Sequence, residues 1–93
     1  MKLSRAQIGV LRVLKDGGEL LQTRAGDAFT LNVYGDEETV YKTTFAILVK
    51  RRLIVCAGMN GAPAMKPKHR FKAWNLTPAG RQALLEAEGA GER

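Results

Sequence analysis

The chain predicts an α+β fold in the order α-β-β-α-β-β-α, with a β-hairpin ahead of the second long helix. Three observations carry the prediction. Ser4 stands three residues before Gln7, the spacing of a capping box, at the head of a helix-periodic apolar run. Residues Ala28–Tyr34 alternate apolar and polar side chains, as a half-buried strand does. Thr77-Pro78 places an N-cap and an N1 proline before a last apolar helix.

Size and composition set the limits. A chain of 93 residues forms one domain with one modest core. We expect a single unit over residues 1–88 and a frayed tail over 89–93. Hydrophobic residues make up 45% of the chain, the composition of a folded protein. No apolar run reaches the roughly 18 residues of a membrane span, and no leader pattern opens the chain. Neither a membrane partner nor a signal peptide is therefore expected. The single cysteine, Cys56, excludes an internal disulfide and fits a reducing cytoplasm. A formal net charge of +6 favours a polyanionic or acidic partner.

The elements follow in order. Leu3 and Ile8 flank the Ser4 cap at hydrophobic-staple positions. Ile8, Leu11 and Leu14, with Val10, give the apolar stripe of a helix over Arg5–Asp16, and Gly17-Gly18 stops it. Glu19–Thr23 and Ala28–Tyr34, joined by Arg-Ala-Gly-Asp, form the hairpin; a short helix over Gly18–Arg24 is the alternative for its first arm. Phe29, Leu31 and Val33 fall on one side of the second arm, and Thr30, Asn32 and Tyr34 on the other. Gly35-Asp36 ends the hairpin and caps a helix over Glu37–Arg51. Asp36, Glu37 and Glu38 then lie in its first turn and Lys50, Arg51 and Arg52 in its last, each placement worth about 0.3–1 kcal/mol against the helix dipole. Tyr41, Phe45 and Leu48 are its expected buried stripe. Leu53–Cys56 is a strand and Gly58–Arg70 a loop. In the returning strand Phe71, Ala73 and Asn75 alternate with Lys72, Trp74 and Leu76. The last helix spans Pro78–Glu88 with Leu84 and Leu85 inward. A homodimer surface is the alternative role for those two leucines.

Two resemblances add to this reading. Thr39-Val40-Tyr41 with Phe45 and Leu48, then Leu53-Ile54, then Trp74, Leu76, Thr77, Pro78 and Gly80, resemble the C-terminal half of bacterial winged-helix regulators. The resemblance implies a DNA-binding domain with a wing between its two last strands. The N-terminal half is similar to the YjhX-like toxin family, known as topoisomerase I inhibitors. The positions concerned are Leu3, Ser4, Arg5, Gln7, Leu11, Val13, Leu14, Gly17, Gly18, Tyr34, Tyr41, Phe45, Leu48, Leu53 and Ile54. After Cys56 the chain departs from that family, with a longer basic loop and a Leu-Thr-Pro-Ala-Gly helix. The matched positions are mostly apolar or capping and speak to fold.

Candidate nucleic-acid-binding residues follow from charge and helical phase. If Tyr41, Phe45 and Leu48 face in, then Thr39, Lys42, Thr43, Ala46 and Lys50 face out, and Lys42 and Thr43 can meet phosphates or base edges. Lys66, Lys68, Arg70 and Lys72 supply salt-dependent phosphate contacts near a wing. Blander roles compete with each: Lys50-Arg51-Arg52 as a solvated helix end, and the basic run as a solubilising loop. Asp36, Glu37 and Glu38 would repel phosphate from the head of the reading helix. A hairpin stands where a bracing helix usually precedes a reader.

Trp74 can stack a base or pack locally, as strand tryptophans more often do. Met59 and Met65 mark an adaptable contact surface or an ordinary loop tip. Cys56 reads as a small buried hydrophobe. The only histidine, His69, lies in the loop, which leaves no nucleophile pair, and one Cys with one His makes no zinc site. There is no P-loop and no GxGxxG. No enzyme, cofactor or metal is expected. The leading expectation is a cytoplasmic, regulator-like module binding double-stranded DNA. The alternatives are a protein-binding toxin or inhibitor of a nucleic-acid enzyme such as topoisomerase I, and a phage anti-defence protein.

Overall fold

The computed structural model describes residues 2–56, 65–66 and 71–91. The elements are α1 (Arg5–Lys15), β1 (Glu19–Gln22), β2 (Ala28–Leu31), β3 (Glu37–Val40), α2 (Lys42–Lys50), β4 (Ile54–Cys56), β5 (Met65–Lys66), β6 (Phe71–Leu76) and α3 (Pro78–Gly91). The chain is thus α+β, but β3 and β5 are additional to the expected order. The sheet runs β3-β2-β1-β6-β4, and every pairing is antiparallel. At Trp74 and Lys72 one edge of β6 is taken by β1, so β4 and β5 share the other edge. No helix among the described residues is long and apolar enough to cross a membrane.

The capping box forms at α1. The Ser4 amide donates to Gln7 Oε1 at 3.0 Å, and the Gln7 amide donates to Ser4 Oγ at 3.2 Å. Val10 and Leu11 are buried, with Ile8 and Leu14 packed beside them. The double glycine has two separate causes. Gly17 takes φ 95°, the left-handed region. At Gly18 a Cβ would stand 2.8 Å from the Leu31 carbonyl oxygen and 2.9 Å from that of Val13. Only a bare backbone passes there.

The strand registers define two faces. Leu20, Ala28, Thr30, Val40, Ile54, Trp74 and Leu76 share the face that meets the helices. Leu21, Phe29, Leu31, Ala73 and Phe71 lie on the other. On β2 the buried, helix-facing residues are Ala28 and Thr30, and Phe29 and Leu31 are half-buried on the other face. The second face is shielded without a helix layer. Strands β2 and β6 flank β1, and the Phe29 and Phe71 rings meet edge to face above it, centroids 5.3 Å apart. Leu21, opposite Phe29 on one side and Ala73 on the other, is only 3% exposed.

The largest departure lies between Asn32 and Tyr41. β2 ends at Leu31, and the Asn32 side chain shapes a turn: its Oδ1 accepts from the Tyr34 amide at 2.9 Å and the Asp36 amide at 3.0 Å. Glu37–Val40 then form an edge strand, Glu37 opposite Leu31 and Val40 opposite Ala28. Backbone pairing with β2 overrides the helix-like placement of the acids. Helix α2 therefore starts at Lys42, with Tyr41 as an extended N-cap at ψ 146°. Outside the helical phase, Tyr41 is 72% exposed, and Thr44 takes its place beside Leu48 in the core.

The Leu76–Gly80 stretch joins three elements. Thr77 Oγ1 accepts from the Gly80 amide at 2.9 Å and donates to the Arg52 carbonyl at 2.7 Å. The Thr77 amide donates to the Leu53 carbonyl at 3.1 Å. A Cβ on Gly80 would collide with that same Leu53 carbonyl. The close approach seats α3 on the start of β4. Leu84 is fully buried, but Leu85, a hundred degrees round the helix, is 49% exposed rather than inward. α3 runs on to Gly91, past the expected end at Glu88. Glu88 itself accepts from Arg12 at 3.1 Å and Lys15 at 3.2 Å, tying the ends of α1 and α3 together.

Candidate nucleic-acid interface

The outward face of α2 is built as its residues demand. At 3.6 residues per turn, Lys42, Ala46, Lys50 and Thr43 span an arc of about 100°, and all four are exposed. Thr44 and Leu48 are buried on the opposite side, and Phe45 packs edge-on against Trp74 with centroids 5.1 Å apart. Thr39, expected on the outward helix face, lies instead in β3 opposite Phe29.

The helix head carries no acidic residue in its first turn. Glu37 and Glu38 are displaced back along β3, about 10–13 Å of extended chain from Tyr41. Glu38 nevertheless lines one cleft with Tyr41 and Thr44 of the helix head. The missing bracing helix is not restored: three strands separate α1 from α2.

The helix tail is closed by a Schellman motif. The Leu53 amide donates to the Leu48 carbonyl and the Arg52 amide to the Val49 carbonyl, both at 3.0 Å. Arg52 occupies the left-handed position at φ 59°, where glycine is usual. An arginine there costs about 1–2 kcal/mol of backbone strain. Lys50, Arg51 and Arg52 are all exposed, and none is ion-paired among the described residues.

Lys72 is exposed on β6, two residues from Trp74. With Gln22, Thr23, Arg24 and Gly26 it lines a shallow depression of about 360 Å³. Arg24 was not anticipated from sequence; pairing of Gln22 with Lys72 brings it there. Trp74 is committed internally: its Nε1 donates to Gln22 Oε1 at 3.2 Å. It packs edge to face with Phe45 and is half-buried. Cys56 is half-buried opposite Trp74. The Lys66 backbone pairs with Phe71. Lys68, Arg70, His69 and Met59 lie outside the described residues. The structure thus brings Lys42, Thr43 and Lys50 onto one surface, and sets Lys72 beside Arg24.

Comparison with protein-family models, with curated proteins and with solved structures finds no match to this chain.

Proposed function

We propose that the protein is a non-enzymatic, cytoplasmic DNA-binding module on a winged-helix-like scaffold. It contacts the duplex through the outward face of α2 and the basic stretch Lys66–Lys72. One observation carries the reading: Arg52 is kept at a left-handed position despite its strain, at the end of an exposed cationic row with no ion pair among the described residues. Strain of this kind is retained where the side chain has a use. Lys42 and Thr43 meet the groove, and Lys50, Arg51 and Arg52 meet the flanking phosphates.

The test is duplex affinity measured against salt concentration. Two alanine sets are compared with the wild type: Lys42, Thr43 and Lys50, and Lys66, Lys68, Arg70 and Lys72. Each cation lost from a phosphate contact lowers the log–log salt slope by about one. An unchanged slope in both sets, or no salt dependence in the wild type, overturns the reading.

A second reading is a protein-binding inhibitor of a nucleic-acid enzyme. Its support is the hydrogen-bonded turn that holds Tyr34 at 87% exposure and Val33 at 60%, beside Asp36, Glu37 and Glu38. Rigid exposed aromatics are the residues protein interfaces favour. Inhibition of a purified topoisomerase that is lost in Tyr34→Ser supports this reading. No inhibition by the wild type rejects that target.

A further inference from the structure

A cleft of about 420 Å³ opens between α1 and the junction of β3 with α2. Its size falls within the range of small-molecule sites. We propose that it binds an aromatic amino acid, or a zwitterion of the same shape. The site stands on residues other than those of the proposed DNA contact and does not rest on that reading.

The apolar wall exists because α1 presents small residues there. Ala6 and Gly9 line the cleft, and a Cβ on Gly9 would meet nothing within 4 Å beyond the backbone of its own helix. Glycine inside a helix is unfavourable relative to alanine, and packing does not require it at this position. Its effect is to leave bare backbone on the wall of a cleft that Val40 also lines. An aromatic ring fits such a slot. Tyr41, exposed at the rim, offers it an edge contact.

Two threonines line the same cleft. Thr44 is only 9% exposed, and its hydroxyl has no hydrogen-bond partner among the described residues. Thr30, 5% exposed, makes one long bond of 3.4 Å to the Glu38 carbonyl and keeps its acceptor capacity. Both hydroxyls can therefore bond to a polar ligand group placed in the cleft.

Charge decides the ligand class. Arg5 and Glu38 both line the cleft, carry opposite charges, and form no ion pair among the described residues. Arg5 matches a carboxylate and Glu38 an ammonium. A ligand bearing both, on an aromatic body, uses every feature of the site.

The test is titration of the full chain with L-tryptophan, tryptamine and indole-3-propionate, followed by amide NMR shifts of Ala6, Gly9 and Thr44. Tryptophan gives saturable shifts at these residues. Arg5→Gln weakens tryptophan and indole-propionate about tenfold and leaves tryptamine unchanged. Glu38→Gln weakens tryptophan and tryptamine and leaves indole-propionate unchanged. Gly9→Leu, whose side chain enters open space, abolishes binding of all three while the remaining spectrum stays folded. The proposal is overturned if tryptophan gives no saturable shift, if the shifts survive Gly9→Leu, or if neither charge substitution discriminates among the ligands.

Discussion

Arg52→Gly separates folding from binding, because the two respond with opposite sign. Arg52 stands at φ 59°, pinned there by the Schellman bonds and by the Thr77 hydroxyl on its carbonyl at 2.7 Å. Relief of the left-handed strain is worth about 1–2 kcal/mol. The extra freedom of glycine in the unfolded chain returns about 0.4–1 kcal/mol of that. The net is a gain of about 1 kcal/mol, or roughly 5 °C in Tm for a domain of this size. The same substitution removes one cation, so duplex affinity falls and the salt slope loses about one unit. Arg52→Ala is the control: it keeps the strain and loses the charge. It should weaken binding as much as glycine does, with no gain in Tm. The assays are calorimetric unfolding and binding against salt. Equal Tm for Arg52→Gly and Arg52→Ala would refute the strain argument. Undiminished binding by both would remove Arg52 from the interface.

Three further outcomes are expected. Lys15, the larger influence, and Arg12 hold the Glu88 carboxyl below its ordinary value of 4.5 by hydrogen bonding to it. Its contribution to stability is therefore complete above that value and is lost as pH falls through the lowered one. Glu88→Gln should be less stable than wild type at neutral pH, with the two converging in acid denaturation. Phe29→Ala should cost about 2–3 kcal/mol, by losing the Phe71 contact and uncovering Leu21. In a double-mutant cycle by urea unfolding, Leu21→Ala should then cost less than it does in the wild type. Gly80→Ala, which meets the Leu53 carbonyl, should destabilise by about 3 kcal/mol, whereas Gly9→Ala, which meets nothing, should stabilise by about 0.5–1 kcal/mol. Equal effects of those two substitutions on Tm would contradict the packing described at Gly80.

What was legible in the chain was local. The Ser4–Gln7 box, the Gly17-Gly18 stop and the Thr77-Pro78 start are hydrogen bonds and backbone angles set within a few residues. The outward set Lys42, Thr43 and Lys50 also emerged correctly, since Phe45 and Leu48 fix most of the helical phase. Glu37–Val40 was misread for a physical reason. Acids before an apolar period suit a helix head, and an exposed edge strand tolerates them equally well. Only the pairing of β3 with β2 distinguishes the two, and that contact is tertiary. Tyr41 then fell outside the helix and out of the core. In β2 the alternation of side chains showed two faces but not which one meets the helices; tertiary packing puts Ala28 and Thr30 there. Arg24 and the cleft beside Gly9 were beyond reach for the same reason: each is made by elements distant in sequence.

The shared edge of β6 has a consequence for how its two short strands are joined. Cys56 sits opposite Trp74 and Met65 opposite Lys72. One residue, opposite Ala73, would bridge the two with the pleat unbroken, yet positions 57–64 lie between them. The sheet's own geometry therefore asks for a linker of one residue where the chain supplies eight. The two short strands therefore complete one edge of β6 together, although eight positions separate them in the chain.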